Sequence, residues 1–525
     1  NIKSNEESVY VKRHHNDKAK NPAISQFTRE ETMPDYFVAY KNAIKAAGTN
    51  ERIINHLYYI LAKFVVKEYI MKMRWSEDDR WRNEFFTELA TLAKDINNKV
   101  LKDDFTHAEK AMVKSMKHND FAKMKKKAMR VLFNRKIVKM IKNPRVRNKT
   151  ITLYVFNKMK LKENWVVFES FMGRNCSGQP KYVYKYLQEA YGDKYKCIWV
   201  VDRKGVEIPG KHKTCKRFSL KYYYYMNRSK YWVNNMRQPL SIPRREETVM
   251  LATWHGTPLK RLAFDQEEVT AASPTYKSQF YRQKQEWDYL IAANKFSSDI
   301  FKSCFMYTNG TMLEIGYPRN DLLYAPNKDQ IALDLKKKLH IPLDKKTILY
   351  APTWRDDNSY GAGEYKFELA LDLKRLKEEI GDEYVILLRM HYWIVDKLDL
   401  TGMSDFVINV SNYSDITDIY IVSDICMTDY SSVFFDYANL KRPILYYMYD
   451  LEKYRDVLRG FYLDIEKELP GPILQTNDEV IDAIKNIDKV NEEYKDKYQE
   501  FYNRFCCIDD GNAAKRVCEK VFGVK

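Results

Sequence analysis

His255 is the residue of this sequence whose surroundings most resemble a reaction centre. It stands in Thr253-Trp254-His255-Gly256-Thr257-Pro258-Leu259-Lys260-Arg261, directly after the apolar run Val249-Met250-Leu251-Ala252. That run has the length of a buried strand. Gly256 lets the backbone turn sharply, and Pro258 suits the first turn of a helix, where no amide donor is needed. The spacing therefore predicts a strand, a tight loop and a helix start. The first helical amides would face the imidazole's neighbour and favour an anion there. An imidazole beside an anion pocket suits phosphoryl or glycosyl transfer. Taken alone, a His-Gly at a strand end is more often a packed histidine.

Other strand ends repeat the pattern. Tyr350-Ala351-Pro352-Thr353-Trp354-Arg355-Asp356-Asp357 follows one apolar run, Arg389-Met390-His391-Tyr392 a second, and Thr428-Asp429-Tyr430-Ser431-Ser432 a third. Arg389 and His391, two apart, share a face of an extended segment. Ser431 and Ser432 precede Val433-Phe434-Phe435-Asp436-Tyr437, which reads as a helix, so their hydroxyls either meet a phosphate or simply cap. Asp436 faces the ligand one turn later or lies on the helix surface.

The elements that must hold these residues fall into two sets. Candidate strands 166–168, 197–201, 231–233, 249–251 and 289–292 alternate with helical stretches. A polar connection follows Gly316-Tyr317-Pro318-Arg319-Asn320-Asp321, and then come candidate strands 347–350, 384–388, 406–408, 425–427 and 443–446. The alternation predicts an α/β fold of two parallel-sheet, Rossmann-like domains facing a cleft, with ligands at the carboxyl ends of the strands. Expected boundaries are 161–325 for the first, which carries His255, and 326–525 for the second. Residues 31–160 read as an all-helical basic region, and 1–30 as a polar remnant of an upstream domain in a fragment or processed chain.

Charge separates these parts. The 525 residues carry a net +18. Residues 1–160 hold 35 Lys+Arg and 18 Asp+Glu, and the other 365 residues hold 54 and 53. Between Lys123 and Lys149 there are twelve basic residues and no acid, interleaved with apolar ones. Such a helix can dock on an anionic membrane surface through Lys123, Lys125, Lys126, Lys127, Arg130, Arg135, Lys136 and Lys139. An ordinary helix packed on the body with a solvated basic face is the equal alternative, and nucleic acid ranks third. A second acid-free stretch, Lys211 to Arg245, surrounds Tyr222-Tyr223-Tyr224-Tyr225. No run approaches the roughly 18 apolar residues of a membrane span. Eight scattered cysteines without a CxxC pair argue for reduced thiols and against structural zinc.

The five motifs at 254–260, 316–321, 351–355, 389–391 and 428–432, taken together, resemble the CDP-glycerol glycerophosphotransferase family, the teichoic acid polymerases and primases of Gram-positive cell walls. The match runs in order and spacing from about residue 163 to 522, including Arg459-Gly460-Phe461-Tyr462 and Pro470-Gly471-Pro472-Ile473. Val9 to His15 with Ala23-Ile24-Ser25 is similar to the tail of a family-2 glycosyltransferase domain. The family resemblance implies a GT-B fold, a CDP-glycerol or CDP-ribitol donor, a lipid-linked polymer acceptor, and peripheral attachment at the cytoplasmic face of the cell membrane, in teichoic acid or capsule synthesis. It implies His255 as general base and His391 as the group that helps CMP leave. Trp254, Gly256, Thr257, Pro258, Arg319, Pro352, Thr353, Arg389, Met390, Ser431, Ser432 and Asp436 would hold substrate. It calls for no cofactor and no metal. The competing readings are a GT-B glycosyltransferase using a nucleotide sugar and a basic polyanion-binding scaffold.

Overall fold

The computed structural model describes residues 29–70, 85–102, 104–266, 276–353, 369–390, 400–452 and 460–523. His391, Trp354 to Asp357, Arg459 and the segment up to residue 28 lie outside the described residues. The chain divides into two compact units, Asn1–Asn143 and Pro144–Lys525. The boundary thus falls before the stretch 144–160, which the sequence pattern groups with the helical region.

The first unit contains helices α1 (Arg29–Ala47), α2 (Glu51–Phe64), α3 (Phe86–Ala93), α4 (His107–Lys117) and α5 (Phe121–Lys142). Its core gathers Phe37, Leu61, Val65, Leu89, Met112, Met116 and Met124. Thr106 and Glu109 form a reciprocal capping box that starts α4, and Asp120 caps α5 through the amide of Lys123. Only Met124 and Ala128 of α5 are buried. The second half of that helix leaves Phe133, Ile137 and Ile141 exposed. No described helix is long and apolar enough to cross a membrane.

The second unit opens with α6 (Pro144–Tyr154), tied down by Asn148, whose amide donates to the Phe218 carbonyl at 3.2 Å. Two wholly parallel sheets follow. The first has seven strands: β1 (Lys162–Glu169), β2 (Lys196–Val201), β3 (Lys213–Lys216), β4 (Ser229–Asn234), β5 (Val249–Ala252), β6 (Tyr289–Ala292) and β7 (Thr311–Glu314), in the order β3-β2-β1-β4-β5-β6-β7. The second has six: β8 (Lys346–Ala351), β9 (Tyr384–Leu388), β10 (Val407–Asn409), β11 (Ile425–Thr428), β12 (Ile444–Tyr447) and β13 (Ile473–Leu474), in the order β10-β9-β8-β11-β12-β13. Every strand pattern expected from the sequence is present. The edge strands β3, β7 and β13 are additional.

Strand order reverses between β1 and β4 and between β8 and β11, and such switch points open ligand crevices at the carboxyl ends. The helices that matter there are α7 (Gly178–Tyr191), α8 (Ile416–Val422) and α9 (Val433–Tyr437). Two later helices are α10 (Ile487–Phe505) and α11 (Ala513–Phe522). Val517, Cys518, Val521 and Phe522 of α11 pack with Val183 and Leu187 of α7, on the first sheet. The end of the chain therefore serves the first sheet, although its position groups it with the second.

The helix expected at Pro258 is absent. Trp254 takes a left-handed backbone (φ 51°), and the chain runs on extended. It pairs with a distant segment: the Arg261 amide donates to Gly460 at 2.9 Å and the Tyr462 amide to Leu259 at 2.9 Å. Leu259 is buried in a core cluster of the second sheet. Inter-segment backbone pairing and burial of Leu259 win over the local preference for a helix.

Candidate active site

His255 lies three residues beyond the end of β5. Its Nδ1 is 3.1 Å from the Asn235 carbonyl, just past β4. A carbonyl only accepts, so Nδ1 carries the proton and Nε2 keeps the lone pair. Crowding by the cleft walls lowers the imidazole pKa from 6.5 to about 4; the Asn235 carbonyl opposes that shift and Arg319 adds to it. The residue still has solvent-exposed surface, so its neutral Nε2 can meet a substrate. The indole of Trp254 stacks on the imidazole at 4.4 Å between centroids, and is itself wedged against Phe305 at 4.7 Å. Trp254 therefore backs the histidine. Thr257 and Pro258 are buried beyond it.

Asn235 does more than orient the ring. Its side-chain oxygen accepts from the Phe171 amide at 2.8 Å, fixing the loop that follows β1. That loop holds three consecutive left-handed residues, Phe171, Met172 and Gly173 (φ 46°, 61° and 83°). Such backbone conformations are costly for residues other than glycine and cluster at functional sites. Gly173 cannot be replaced cheaply, since a Cβ there would stand 2.9 Å from the Asp202 nitrogen.

Arg319 joins the two sheets. Its backbone amide donates to Gln179 Oε1 on α7 at 2.9 Å, and its Nη1 donates to the His255 carbonyl at 3.0 Å. Its Nη2 is paired with the carboxylate of Asp436 on α9. Both side chains are buried. Burial works against the guanidinium's charge, but Asp436 more than offsets it and the pKa is raised. Arg319 and Asp436 thus neutralise each other in this structure while both line the same cavity.

Across from His255, a cavity of about 250 Å³ is lined by Pro352, Arg389, Met390, Ser431 and Ser432, together with His255, Arg319 and Asp436. Arg389 spends Nη1 on the carbonyls of Val410 (3.0 Å) and Tyr413 (2.9 Å). Burial lowers its pKa, countered by Tyr420 and Asp415. Ser432 holds the N-cap position of the short α9 but makes no side-chain capping bond, so its hydroxyl is available to the cavity. A Cβ on Gly256 would lie 3.4 Å from Ser432 Oγ and 3.6 Å from Arg319 Nη2, so Gly256 leaves room where the two walls approach. Thr353 stands beside the cavity without lining it, its amide donating to Asp429 Oδ1 at 2.8 Å.

A second cavity of about 710 Å³ shares Arg319, Arg389, Met390 and Ile416 with the first. It adds Arg174, Asn175, Ser177 and Gly178 from the β1–α7 loop, and Arg203. Lys181 of α7 pairs with Asp415, one of the cavity's lining residues at the start of α8, at 2.5 Å. These residues, and Tyr420 in the smaller cavity, are absent from the sequence-based set. The available signal was weak: Gly173 and Gly178 stand between a strand and a helix, but Gln179-Pro180 follow where a phosphate-loop motif has Lys-Ser/Thr.

Two parallel sheets with a cleft between them that carries His255, Arg319 and Arg389 make a GT-B-like fold. The chain belongs to the CDP-Glycerol:Poly(glycerophosphate) glycerophosphotransferase family, whose model matches residues 151–523. It is 44% identical to the teichoic acid poly(glycerol phosphate) polymerase of Bacillus subtilis over 77% of this chain and 54% of that protein. It is 39% identical to the Staphylococcus epidermidis polymerase of the same name over 94% of this chain and 68% of that protein. A solved variant of the wall teichoic acid polymerase TagF, soaked with CDPG, superposes with a TM-score of 0.70 at 42% identity, covering 74% of this chain and 97% of that one. The chain thus spans little more than half of the length of the first relative.

Proposed function

We propose that this protein transfers an alditol phosphate from a CDP-alditol to a terminal hydroxyl of a lipid-linked teichoic acid polymer, releasing CMP. Glycerol is the alditol we assign, because both polymerases compared above are named for poly(glycerol phosphate). The acceptor oxygen attacks the phosphorus bearing the alditol. A new P–O bond forms as the bond to CMP breaks, and the acceptor's proton passes to His255 Nε2. The observation that carries this reading is the fixed tautomer of His255, with its free nitrogen available to the cleft.

Phosphoryl transfer asks for positioning and charge stabilisation more than covalent work by the protein. Arg389 and the Ser431 and Ser432 hydroxyls take the phosphates. Arg319, anchored on Asp436, holds the His255 segment by its carbonyl. His391, beyond the described residues, keeps the role implied by family resemblance: it assists the leaving CMP. No metal is assigned a step.

Peripheral docking on the cytoplasmic membrane surface belongs to the same proposal. Its support is α5, where Lys123, Lys126, Arg130 and Lys139 are exposed beside Met129, Phe133, Ile137 and Ile141. The Lys211–Arg245 stretch is not given this role. Arg217, Arg244 and Arg245 there are paired with Glu169, Asp288 and Glu247.

The deciding experiment supplies CDP-glycerol, CDP-ribitol and a UDP-sugar to the purified protein with a lipid-linked acceptor. CMP release from CDP-glycerol, lost in His255→Ala and His391→Ala by a factor of about 10² or more with the fold retained, supports the assignment. UDP-sugar turnover in its place refutes it.

A further inference from the structure

A groove of about 570 Å³ runs between the start of α4 and the second half of α5, far along the chain from the cleft residues. Ala108, Val131 and Val138 line it, together with Arg135, Lys139 and Lys142. Its lining is predominantly apolar despite those cations. Long basic side chains achieve that by laying their methylene stems on apolar surface while the charged heads stay in water.

The charge around it has one sign. Helix α5 carries nine Lys and Arg and no acid. Among the described residues Lys139 and Lys142 have no carboxylate partner, and Arg135 has only Glu109 at 3.5 Å. Beside the groove an apolar stripe at four-residue spacing, Met129, Phe133, Ile137 and Ile141, winds along the helix, with Phe133 62% and Ile141 71% exposed. Val138, also exposed, belongs to the groove lining and sits next to that stripe in sequence.

We propose that this groove binds a single anionic phospholipid, with its phosphate against Arg135, Lys139 and Lys142 and an acyl chain along Ala108, Val131 and Val138. The assignment rests on the membrane-docking reading and sharpens it, from adsorption on a charged surface to a stoichiometric lipid site. A polyol phosphate polymer could satisfy the cations but would gain nothing from the apolar lining. A diacyl phosphate fits both. The volume lies within the ~300–1,000 Å³ of small-ligand sites.

The test uses the full chain and vesicles of phosphatidylcholine, with and without phosphatidylglycerol. Ala108 is exposed, so Ala108→Phe fills the groove without altering charge or core. It should weaken binding to phosphatidylglycerol vesicles by about tenfold or more, because each methylene kept out of an apolar site forfeits about fourfold in affinity. Lys139→Gln with Lys142→Gln should weaken binding more than Lys123→Gln with Lys126→Gln, which removes equal charge away from the groove. Wild-type-like binding of Ala108→Phe overturns the lipid site, whatever the lysine pairs do, and leaves diffuse docking standing. Failure of the wild-type chain to bind phosphatidylglycerol vesicles overturns the docking reading and the site together.

Discussion

The main-chain carbonyl of Asn235 lies 3.1 Å from Nδ1 of His255, while the Asn235 side chain accepts from the Phe171 amide at 2.8 Å. One residue thereby fixes both the tautomer of His255 and the left-handed loop on the neighbouring wall. Asn235→Ala keeps the carbonyl but frees both. It should lower kcat by about tenfold, with a smaller change in the KM for CDP-glycerol, since misplacement of a reacting group is felt mainly in the transition state. Steady-state kinetics on a folded variant check this.

The pH profile follows from the lowered His255 pKa. In its proposed role as general base the ring works unprotonated, and the lowered pKa keeps it so throughout the neutral range. The acid limb of kcat/KM assigned to this group should fall below pH 6.5. An acid limb at 6.5 that vanishes in His255→Gln would contradict the environment described for the ring.

Arg319 and Asp436 are a buried pair, 6% and 2% exposed. Asp436→Asn strands the guanidinium, at a cost of roughly 3 kcal/mol in unfolding free energy. Arg319→Met combined with Asp436→Leu should regain most of that stability, because no buried charge is left alone. Activity should not return, since the anchor on the His255 carbonyl is gone. Denaturant unfolding and CMP release, measured on the same samples, separate the two effects.

Ser432 occupies a cap position without capping, so Ser431→Ala with Ser432→Ala should leave the melting temperature nearly unchanged while raising the KM for CDP-glycerol. An unaltered KM would return both hydroxyls to structural duty.

Asp509 offers a stability test away from the cleft. Its carboxylate accepts from the Tyr317 amide at 2.8 Å and from the Asn320 side chain at 2.7 Å, yet burial raises its pKa from 3.8 to about 7. The folded state holds this proton more tightly than the unfolded chain. The contribution to stability is therefore full below about pH 4 and is lost as pH rises to about 7. The loss is on the order of 4 kcal/mol, from 1.36 kcal/mol per pKa unit. Asp509→Asn should flatten that slope in urea titrations at pH 5 and pH 8. Asn320 Oδ1, buried and unpartnered, can accept from the new amide once the Asn320 side chain flips.

What the sequence made legible follows from which strands are interior. Runs such as Tyr384–Leu388 are buried along their whole length and read as continuous apolar segments. The overlooked β3 and β7 stand at sheet edges with one buried position each, and β13 is two residues long. Edge strands are short and polar, and carry little signal. His255, Arg389, Ser431 and Ser432 were recognisable because strand ends concentrate polar chemistry. The Arg319–Asp436 pairing was not, since two residues 117 apart in sequence meet only through the packing of both sheets. The false helix at Pro258 has the same origin: local turn chemistry was overruled by pairing with residues 460–462.

The return of α11 to the first sheet bears on how the protein is made. The Cys518 thiol approaches the Val183 carbonyl across 335 residues of sequence. As the chain leaves the ribosome, the outer face of α7 stays uncovered until the second sheet has been translated. A nascent chain stalled before α11 thus presents Val183 and Leu187 to solvent and to chaperones. The wall built on the first sheet is completed only after the second sheet exists, so synthesis does not release a finished first half on its own.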